Sequence, residues 1–251
     1  MFEPKVDVKS SEKGYTKSNI IKRYVGLVTD VGLWKSEQYV FEKFLEKQSK
    51  ILDVGCGAGR TTFGLFERGF KNIEGVDASK KLIAHAKKLA KQKSEPINFY
   101  VDDALALDAA NESFDAVVFS YNGLMTIPGS DKRAYAVSEI ARVLRPGGLF
   151  VFTTHDREDS FQDKLFWKQE KLRFENGTND KRLTEFGDRI IEEAGEELFV
   201  HIPTTKEVYS LLDKCGFDCI WTKMRWDICA TPDKEKELFG ECRFFVAKKR
   251  G

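Results

Sequence analysis

The sequence has almost no excess charge of either sign and no long apolar run. Its 41 lysine and arginine residues nearly balance 40 aspartate and glutamate residues, which gives a formal net charge of +1. This balance provides no general attraction for nucleic acid or for an anionic lipid surface, so nucleic acid is not an expected partner. No apolar run approaches the ~20 residues that a membrane-spanning helix needs. The first 19 residues are polar and contain acidic side chains, unlike a signal or transit peptide, so we expect a cytoplasmic protein without membrane association.

Cysteine pairs of the kind that bind zinc are also absent. The chain has five cysteines, an odd number, and none of them forms a C-x-x-C pair. Cys215, Cys219, Cys229 and Cys242 are 4, 10 and 13 positions apart, which matches no zinc pattern well. We therefore expect buried thiols in a reducing compartment, and no metal site.

What the sequence does contain is a regular alternation of short apolar segments and amphipathic segments. Five segments predict strands, at 51–54, 73–76, 97–101, 116–119 and 149–153, and helices are predicted between them at 61–68, 80–93 and 132–144. Because these strands are apolar almost throughout, they favour a parallel sheet with helices on both faces. Right-handed crossovers then give an α/β fold with a doubly wound, mostly parallel sheet. A chain of 251 residues suits one such domain.

The alternation stops after the fifth predicted strand. An added helix is predicted within 156–181, two strands at 183–193 and 196–202, a helix at 205–215, and two last strands at 217–226 and 241–248. The R-P-G-G segment at 145–148 is expected to end one helix and to turn the chain into the next strand.

A glycine-rich segment follows the first predicted strand. Residues 51–60 read ILDVGCGAGR, so Gly55, Gly57 and Gly59 come directly after an apolar run. Glycine lets backbone N–H groups approach a ligand where a Cβ would collide. A dinucleotide-binding G-x-G-x-x-G pattern needs glycine at position 60, where this chain has Arg60. Dinucleotides and S-adenosylmethionine compete as ligands for such a loop, and a tight structural turn is the third explanation.

Acidic residues stand at the ends of the next two predicted strands. Asp77 follows Gly55 by 22 positions, where a carboxylate accepts hydrogen bonds from both hydroxyls of an adenosine ribose. The competing role, capping the following helix, suits Ser79 better. At the end of the third strand, Asp103 with the backbone of Ala104 would hold an adenine, and Asp102 is the competing choice.

Together these segments resemble the class I S-adenosylmethionine-dependent methyltransferases. The resemblance runs from about residue 50 to residue 153, through ILDVGCGAGR, GVDAS, VDDALAL, FDAVVFSYN and RVLRPGGLFVFTT. It implies a seven-stranded sheet whose last strand, ECRFFVAKK, is antiparallel. One departure is that Leu107 and Asp108 stand where the family often has a proline, which affects a loop.

The resemblance also implies which residues surround S-adenosylmethionine. The loop at 53–59 would face its methionine part, Asp77 and Ala78 its ribose, and Asp103 and Ala104 its adenine, while the end of the fourth strand would lie near the sulfonium. The implied cofactor-binding residues are Asp53, Gly55, Cys56, Gly57, Gly59, Asp77, Ala78, Asp103, Ala104, Ser120 and Tyr121, with Trp34 as a candidate to cover the sulfonium. Asn122 lies beside this wall, and Tyr15 and Tyr24 are further candidates for the cover, unless they only pack against the core.

Two residues are candidates for a catalytic role. His155, just beyond the fifth strand, would act as a general base or orient the acceptor, unless it is an ordinary loop histidine near Asp159. Tyr121 would orient an amine or a hydroxyl, or only pack. His201 is a weaker candidate that would point into the pocket, and Arg157 and Arg225 are expected to be surface charges rather than ligands of an acidic substrate.

The sequence is best explained as an S-adenosylmethionine-dependent methyltransferase with a small-molecule acceptor. An O, N or S nucleophile would displace S-adenosylhomocysteine in line, with positioning as the main contribution of the protein. The alternatives are a tRNA or protein methyltransferase, and a cofactor-binding protein without transferase activity. We expect a monomer or homodimer with one domain: an N-terminal helical cap (1–48), a cofactor-binding core (49–155), an inserted lid (156–203) and the C-terminal part of the sheet (204–251).

Overall fold

The structure, a computed structural model, describes residue 15, residues 17–230 and residues 240–251. The remainder of the predicted N-terminal cap, residues 1–14 and 16, lies outside the described residues. Within the described part of the chain, no helix is long and apolar enough to cross a membrane.

Nine strands form two sheets in the described chain. They are β1 (Ile51–Val54), β2 (Ile73–Asp77), β3 (Asn98–Val101), β4 (Phe114–Phe119), β5 (Leu144–Thr154), β6 (Asp188–Glu193), β7 (Glu196–His201), β8 (Phe217–Met224) and β9 (Arg243–Lys249). Seven of them make the main sheet, in the order β3-β2-β1-β4-β5-β9-β8. The first five are parallel, and β9 runs antiparallel to both of its neighbours. The predicted doubly wound, mostly parallel seven-stranded sheet is confirmed.

Helices cover both faces of this sheet. They are α1 (Ser18–Asp30), α2 (Lys35–Phe44), α3 (Arg60–Glu67), α4 (Lys80–Lys93), α5 (Ser130–Val143), α6 (Phe161–Glu175), α7 (Thr205–Lys214) and α8 (Arg225–Ile228). One buried cluster joins Phe41, Phe63 and Ile83 to one face of the sheet, and another joins Ile140 and Leu212 to the opposite face. Since both faces are buried, the central strand β1 is apolar at three of its four positions and buried at all four.

The R-P-G-G segment does not end a helix as predicted. Helix α5 ends at Val143, and β5 already begins at Leu144. The pairing of β4 with β5 jumps from Phe114–Leu144 to Ala116–Leu149, so residues 145–148 form a bulge inside the strand. Gly147, with φ of +76°, supplies the positive φ that this bulge requires.

The insertion after β5 contains helix α6 and a separate two-stranded sheet, the hairpin β6–β7. The first of these strands begins at Asp188, later than predicted. The reason is a turn ahead of it, in which the N–H groups of Thr184 and Glu185 donate to the carboxylate of Asp188 at 3.2 and 2.8 Å.

Two arginines expected at the surface are buried instead. Arg157 is 4% exposed because its guanidinium pairs with Glu207 and donates to the carbonyl oxygen of Ile202 at 2.7 Å. Arg225 is fully buried, and its guanidinium lies 4.0 Å from the centre of the Trp34 ring. Each arginine has a partner distant in sequence, which charge pattern alone does not show.

Candidate active site

A cavity of about 440 Å³ opens at the carboxyl ends of β1, β2, β3 and β4. In open α/β sheets this is the edge at which ligands bind. Among the predicted site residues, those that line the cavity are Gly55, Gly57, Asp77, Ala78, Asp103, Ala104, Ser120 and Tyr121. We call these residues the floor of the cavity. The structure therefore brings together in one place residues from four strand ends.

Three glycines with positive φ make the first loop, but for different reasons. A Cβ at Gly55 would lie 2.5 Å from the ring of Phe119, and one at Gly59 would lie 2.8 Å from the ring of Phe63. At Gly57, with φ of +58°, the nearest side-chain atom would be 3.5 Å away, in Tyr24 across the cavity. Gly55 and Gly59 are thus required for packing, whereas Gly57 keeps the cavity wall bare.

Asp77 joins the glycine loop to the end of β2. The N–H of Gly57 donates to its Oδ2 at 2.9 Å, and the N–H of Ser79 donates to its Oδ1 at 2.7 Å. Burial raises the pKa of this carboxyl, and the two N–H donors oppose that effect. Because each carboxylate oxygen accepts more than one hydrogen bond, the group keeps capacity for ligand hydroxyls. Ser79, as expected, caps α4, since its Oγ accepts from the N–H of Leu82 at 3.4 Å.

Both candidate aspartates after β3 line the cavity, but their carboxylates are used differently. The two oxygens of Asp102 accept from the N–H groups of Asp103 and Asp108, at 2.9 and 3.0 Å. Asp103 accepts through Oδ1 from the N–H of Leu105 at 2.9 Å. A proline at position 108 would lack the donor that Asp102 uses, so the departure from the family pattern changes how this loop is held.

The end of β4 has an unusual backbone. Tyr121 and Asn122 are consecutive non-glycine residues with positive φ, +57° and +60°. The N–H of Asn122 donates to Oγ1 of Thr153 at 2.9 Å, which holds this turn against β5. Such residues persist where the surrounding structure over-determines them, often beside a ligand site. Here the turn directs the Tyr121 ring towards the cavity.

Tyrosine rings from the N-terminal segment close the cavity from above. Tyr15 and Tyr24 both line it and meet edge to face, with ring centres 6.0 Å apart, and Tyr24 lies 5.9 Å from Tyr121 in the same manner. Burial, followed by the negative charge of Glu193 or a neighbouring tyrosine, raises the pKa of all three hydroxyls. They are therefore protonated near neutral pH.

The N-terminal helix and the inserted hairpin are joined above these rings. Arg23 of α1 donates to Glu193 at the end of β6, and its guanidinium also hydrogen-bonds to Tyr121. Lys17 and Glu196 form a weaker, more exposed pair at 3.8 Å. We call Tyr15, Arg23, Tyr24 and Glu193 the roof of the cavity. Sequence reasoning found the two tyrosines but missed the charged pair, because its partners lie 170 positions apart.

Four predicted cofactor residues do not line the cavity, and the first three of them are Trp34, Cys56 and Gly59. Trp34 is 4% exposed, and the centre of its ring lies 5.6 Å from the centre of the Tyr121 ring. The guanidinium groups of Arg60 and Arg225 also lie close to the Trp34 ring, at 4.8 and 4.0 Å from its centre. Cys56 is buried beneath the loop, where burial raises its pKa. The third, Gly59, begins α3 as its N-cap.

Asp53 also lies beneath the loop rather than in the cavity wall. Its Oδ2 accepts from the hydroxyl of Thr62 at 2.6 Å, and the residue is 1% exposed. Burial raises its pKa to about 7, against the opposing effects of the Thr62 hydrogen bond and the charge of Arg60.

Arg60 stands where a dinucleotide-binding pattern has glycine, but that departure did not show what the arginine does. Its guanidinium makes two hydrogen bonds of 2.6 Å to the carboxylate of Glu37 in α2 and one of 2.8 Å to the carbonyl oxygen of Gly32. Glu37 also accepts from the N–H of Trp34 at 2.9 Å. This buried pair fastens the N-terminal helices to the helix that follows the glycine loop. No signal in the sequence identified Glu37 as the partner.

His155 lies next to the strained turn and does not line the cavity. Its Nδ1 is 2.8 Å from the carbonyl oxygen of Glu241, and its Nε2 is 3.0 Å from Nδ2 of Asn122. A carbonyl only accepts, so Nδ1 carries the proton and Nε2 accepts from the Asn122 amide. Burial lowers the pKa of the imidazole, which favours this neutral form. His201 lies away from this cavity, paired with Asp188.

Comparison with known proteins agrees with this geometry. A family model described as a methyltransferase domain matches residues 51–148. The inferred methyltransferase YqeM of Bacillus subtilis (strain 168) is 29% identical over 133 residues, which are 52% of this chain and 53% of that protein. The chain thus spans about half the length of this relative. A carboxy-S-adenosyl-L-methionine synthase of Campylobacter fetus is 26% identical over 199 residues, 76% of this chain and 79% of that protein.

A solved structure shares the fold over the whole chain. It is the 1,6-didemethyltoxoflavin-N1-methyltransferase of Burkholderia thailandensis, with bound 1,6-didemethyltoxoflavin and S-adenosylhomocysteine. The TM-score is 0.64 and the identity is 17%, and the match covers 100% of this chain and 94% of that one.

The strand order, the glycine loop and the matched segment therefore point the same way. Residues 51–148 match a methyltransferase domain, and over this segment the chain is similar to S-adenosylmethionine-dependent methyltransferases.

Proposed function

We propose that this chain transfers the methyl group of S-adenosylmethionine to a small-molecule acceptor. The observation that carries the proposal is a single cavity in which four strand ends form the floor and aromatic rings form the roof. When bound, S-adenosylmethionine supplies a methyl group on a positively charged sulfur. In this proposal, Gly57 leaves room for its methionine part, Asp77 accepts from the ribose hydroxyls, and Asp103 with Ala104 holds the adenine.

The acceptor end of the cavity is proposed to lie beneath the roof. Its walls there are mainly apolar or aromatic, with Tyr15, Tyr24, Ile127 and Pro128 as the main surfaces. The nearby charges of Arg23 and Glu193 neutralise each other. These features support a small acceptor with an aromatic or apolar body, which fits a pocket closed by two segments of the same chain. The division into core and lid, a cytoplasmic location and the state of monomer or homodimer stay predictions.

Positioning, rather than a general base, is proposed to supply the rate enhancement. Both nitrogens of His155 are already hydrogen-bonded, and the raised pKa of Tyr121 keeps its hydroxyl protonated. Tyr121 would therefore orient the acceptor as a hydrogen-bond donor, and His155 would act indirectly by holding Asn122. An acceptor that is nucleophilic without help from the protein, through O, N or S, suits such a site.

The cofactor part of the proposal is tested by calorimetry with S-adenosylmethionine and with NAD. Asp77→Ala removes the carboxylate expected to accept both ribose hydroxyls, worth ~3 kcal/mol together, so binding should weaken on the order of 100-fold. Asp77→Asn keeps the side-chain volume and one of the two acceptor oxygens for the loop N–H groups, and Asp30→Ala, on the exposed face of α1, is the control. Binding of NAD, or unchanged affinity in Asp77→Ala, would contradict the assignment.

The acceptor part is tested with isotope-labelled cofactor and a metabolite extract. A small molecule that gains the labelled methyl group supports the proposal. Labelling of tRNA or protein instead, with affinity that falls steeply as salt rises, would favour those acceptors. No labelled product despite tight cofactor binding would favour a binding protein without transferase activity.

A second candidate function comes from the relative that aligns over most of its length. The carboxy-S-adenosyl-L-methionine synthase is matched over 79% of that protein, a larger share than YqeM provides. Mass spectrometry of the cofactor after incubation with the extract separates the two functions. S-adenosylhomocysteine is the expected product of methyl transfer, and a carboxylated cofactor would favour the second function.

A further inference from the structure

A second cavity, of about 490 Å³, lies between α5, α7 and the inserted segment. The turn at Gly123–Thr126 separates it from the first cavity, since Met125 lines the second and Thr126 lines the first. The residues that surround it include the polar side chains of Ser130, Asp131, Arg133, Glu185, His201, Glu207, Ser210 and Lys214. None of these residues is used by the proposed methyl transfer.

His201 presents an imidazole nitrogen to this cavity. Asp188 and His201 face each other across the hairpin β6–β7, and Nδ1 of the imidazole lies 2.9 Å from Oδ1 of Asp188. Because that carboxylate also accepts from the N–H groups of Thr184 and Glu185, it is held as an acceptor for a proton on Nδ1. His201 is 5% exposed, and no described residue is a hydrogen-bond partner for its Nε2. The lone pair of Nε2 is therefore left for a ligand in the cavity.

Glu185 brings a carboxylate to the same place. One donor atom each from Glu185, Asp188 and His201 lies within 4.8 Å of the other two. The N–H of Ser130 donates to one oxygen of Glu185 at 2.7 Å, and Arg133 donates to the other at 2.5 Å. A carboxylate has about four acceptor positions, so two donors leave room for a further bond.

The charges around the cavity favour a cation over an anion. The acidic side chains in or directly behind its wall are Asp131, Glu185, Asp188 and Glu207, and the basic ones are Arg133, Arg157 and Lys214. With His201 left out of the count, the acidic groups exceed the basic ones by one. An imidazole with a carboxylate on its other nitrogen is also the arrangement in which histidine binds metal ions.

We propose that His201 Nε2 and Glu185 bind a divalent transition-metal ion, of the class of Zn²⁺, in this second cavity. Asp188 orients the imidazole from behind, and water completes the coordination. Two ligands of one zinc ion lie at most ~4 Å apart. The bound of 4.8 Å between donor atoms of Glu185 and His201 is wider, so a shift of the Glu185 side chain would complete the pair. The ion would link His201 of the hairpin to Glu185, whose carboxylate already accepts from the N–H of Ser130 at the start of α5. No metal site was predicted from the sequence because the cysteine spacing matches no zinc pattern, and that pattern does not include Glu185 or His201.

The test is calorimetric titration of the whole chain with ZnCl₂ under reducing conditions. One ion per chain is expected, and His201→Gln should weaken binding at least 100-fold. Glu185→Gln should weaken it as well, and Asp188→Asn should do so by ~10–100-fold through loss of orientation of the imidazole. His85→Gln, on the exposed face of α4, is the matched control and should leave the affinity unchanged.

Two outcomes would overturn the site. One is the absence of binding at millimolar Zn²⁺, and the other is binding that persists in both His201→Gln and Glu185→Gln, which would point to the cysteines instead. Circular dichroism melts of each variant show whether a loss of binding is a loss of folding. In the wild-type chain, an ¹⁵N shift of the His201 Nε2 resonance on addition of Zn²⁺ is expected and does not depend on any variant. Cofactor binding is measured in parallel, because this site does not depend on the proposed methyl transfer.

Discussion

The floor of the cofactor cavity and its roof are built in different ways. The floor comes from one stretch of the chain between Gly55 and Tyr121, where short loops after successive strands meet at one edge of the sheet. Its main contacts are backbone N–H groups donating to carboxylates, as at Asp77 and Asp103. The roof joins segments 170 positions apart through a pair of charged side chains, Arg23 and Glu193. The floor therefore depends on local backbone geometry, whereas the roof depends on a contact that only the folded chain brings together.

The largest effect is expected at the buried pair of Glu37 and Arg60, which joins α2 to the helix that follows the glycine loop of the floor. Glu37→Gln leaves Arg60 as a buried charge without its counter-ion, which should cost about 3–5 kcal/mol of unfolding free energy. Glu42→Gln is the control, because Glu42 pairs with Arg68 at the surface and should lose at most ~1 kcal/mol. Urea denaturation measures both. A loss below 1 kcal/mol in Glu37→Gln would show that the stability of the chain does not depend on this buried pair.

A smaller loss is expected within the floor itself. Gly55→Ala forces a positive φ on alanine and places its Cβ 2.5 Å from the Phe119 ring, so we expect a loss of about 2–4 kcal/mol. Gly129→Ala is a matched control, since Gly129 also has a positive φ, +90°, but no atom within 4 Å of the added Cβ. Its loss should be only the backbone part, about 1–2 kcal/mol. Equal losses in the two variants would mean that close packing under the floor is unimportant.

The roof pair is expected to affect cofactor exchange more than stability. Glu193→Gln removes the charge that holds Arg23 over the cavity, so S-adenosylhomocysteine should dissociate about 5-fold faster, equivalent to ~1 kcal/mol. Stopped-flow fluorescence measures the rate, and Glu196→Gln, in the weaker pair with Lys17, is the control. The exchanged double variant Arg23→Glu, Glu193→Arg should restore slow dissociation. If it does not, the pair is not what closes the roof.

The smallest effect is a pH dependence at the junction of floor and roof. Burial lowers the folded-state pKa of His155 below its ordinary value of 6.5, so its neutral form contributes stability that is present above pH 6.5. That contribution is lost as pH falls from there through the folded-state pKa, because the unfolded chain takes up the proton first. His155→Gln should remove this component from the acid side of a stability profile, whereas His85→Gln should not. An unchanged profile in His155→Gln would contradict the buried neutral imidazole.

The same contrast explains what could be predicted from the sequence. The floor residues Gly57, Asp77 and Asp103 follow successive strands. The resemblance to a family and the period of the apolar segments were therefore enough to predict that these residues lie close together. Arg157 and Arg225 were wrongly expected at the surface, because their partners are remote in sequence and only folding brings them near. The pairings of Arg60 with Glu37 and of Arg23 with Glu193 were missed for the same reason. His155, predicted as a candidate general base, is a different case, since it lies just beyond β5 as expected but outside the cavity wall, with both ring nitrogens hydrogen-bonded.

The left-handed pair at Tyr121 and Asn122 has a consequence for protein engineering. Asparagine tolerates a positive φ, but tyrosine does so only at a cost in free energy, of the order of 1 kcal/mol. Glycine at position 121 would remove that cost together with a ring that lines the cavity. Selection of variants for heat resistance alone would therefore favour loss of this ring, whereas selection for turnover would retain it.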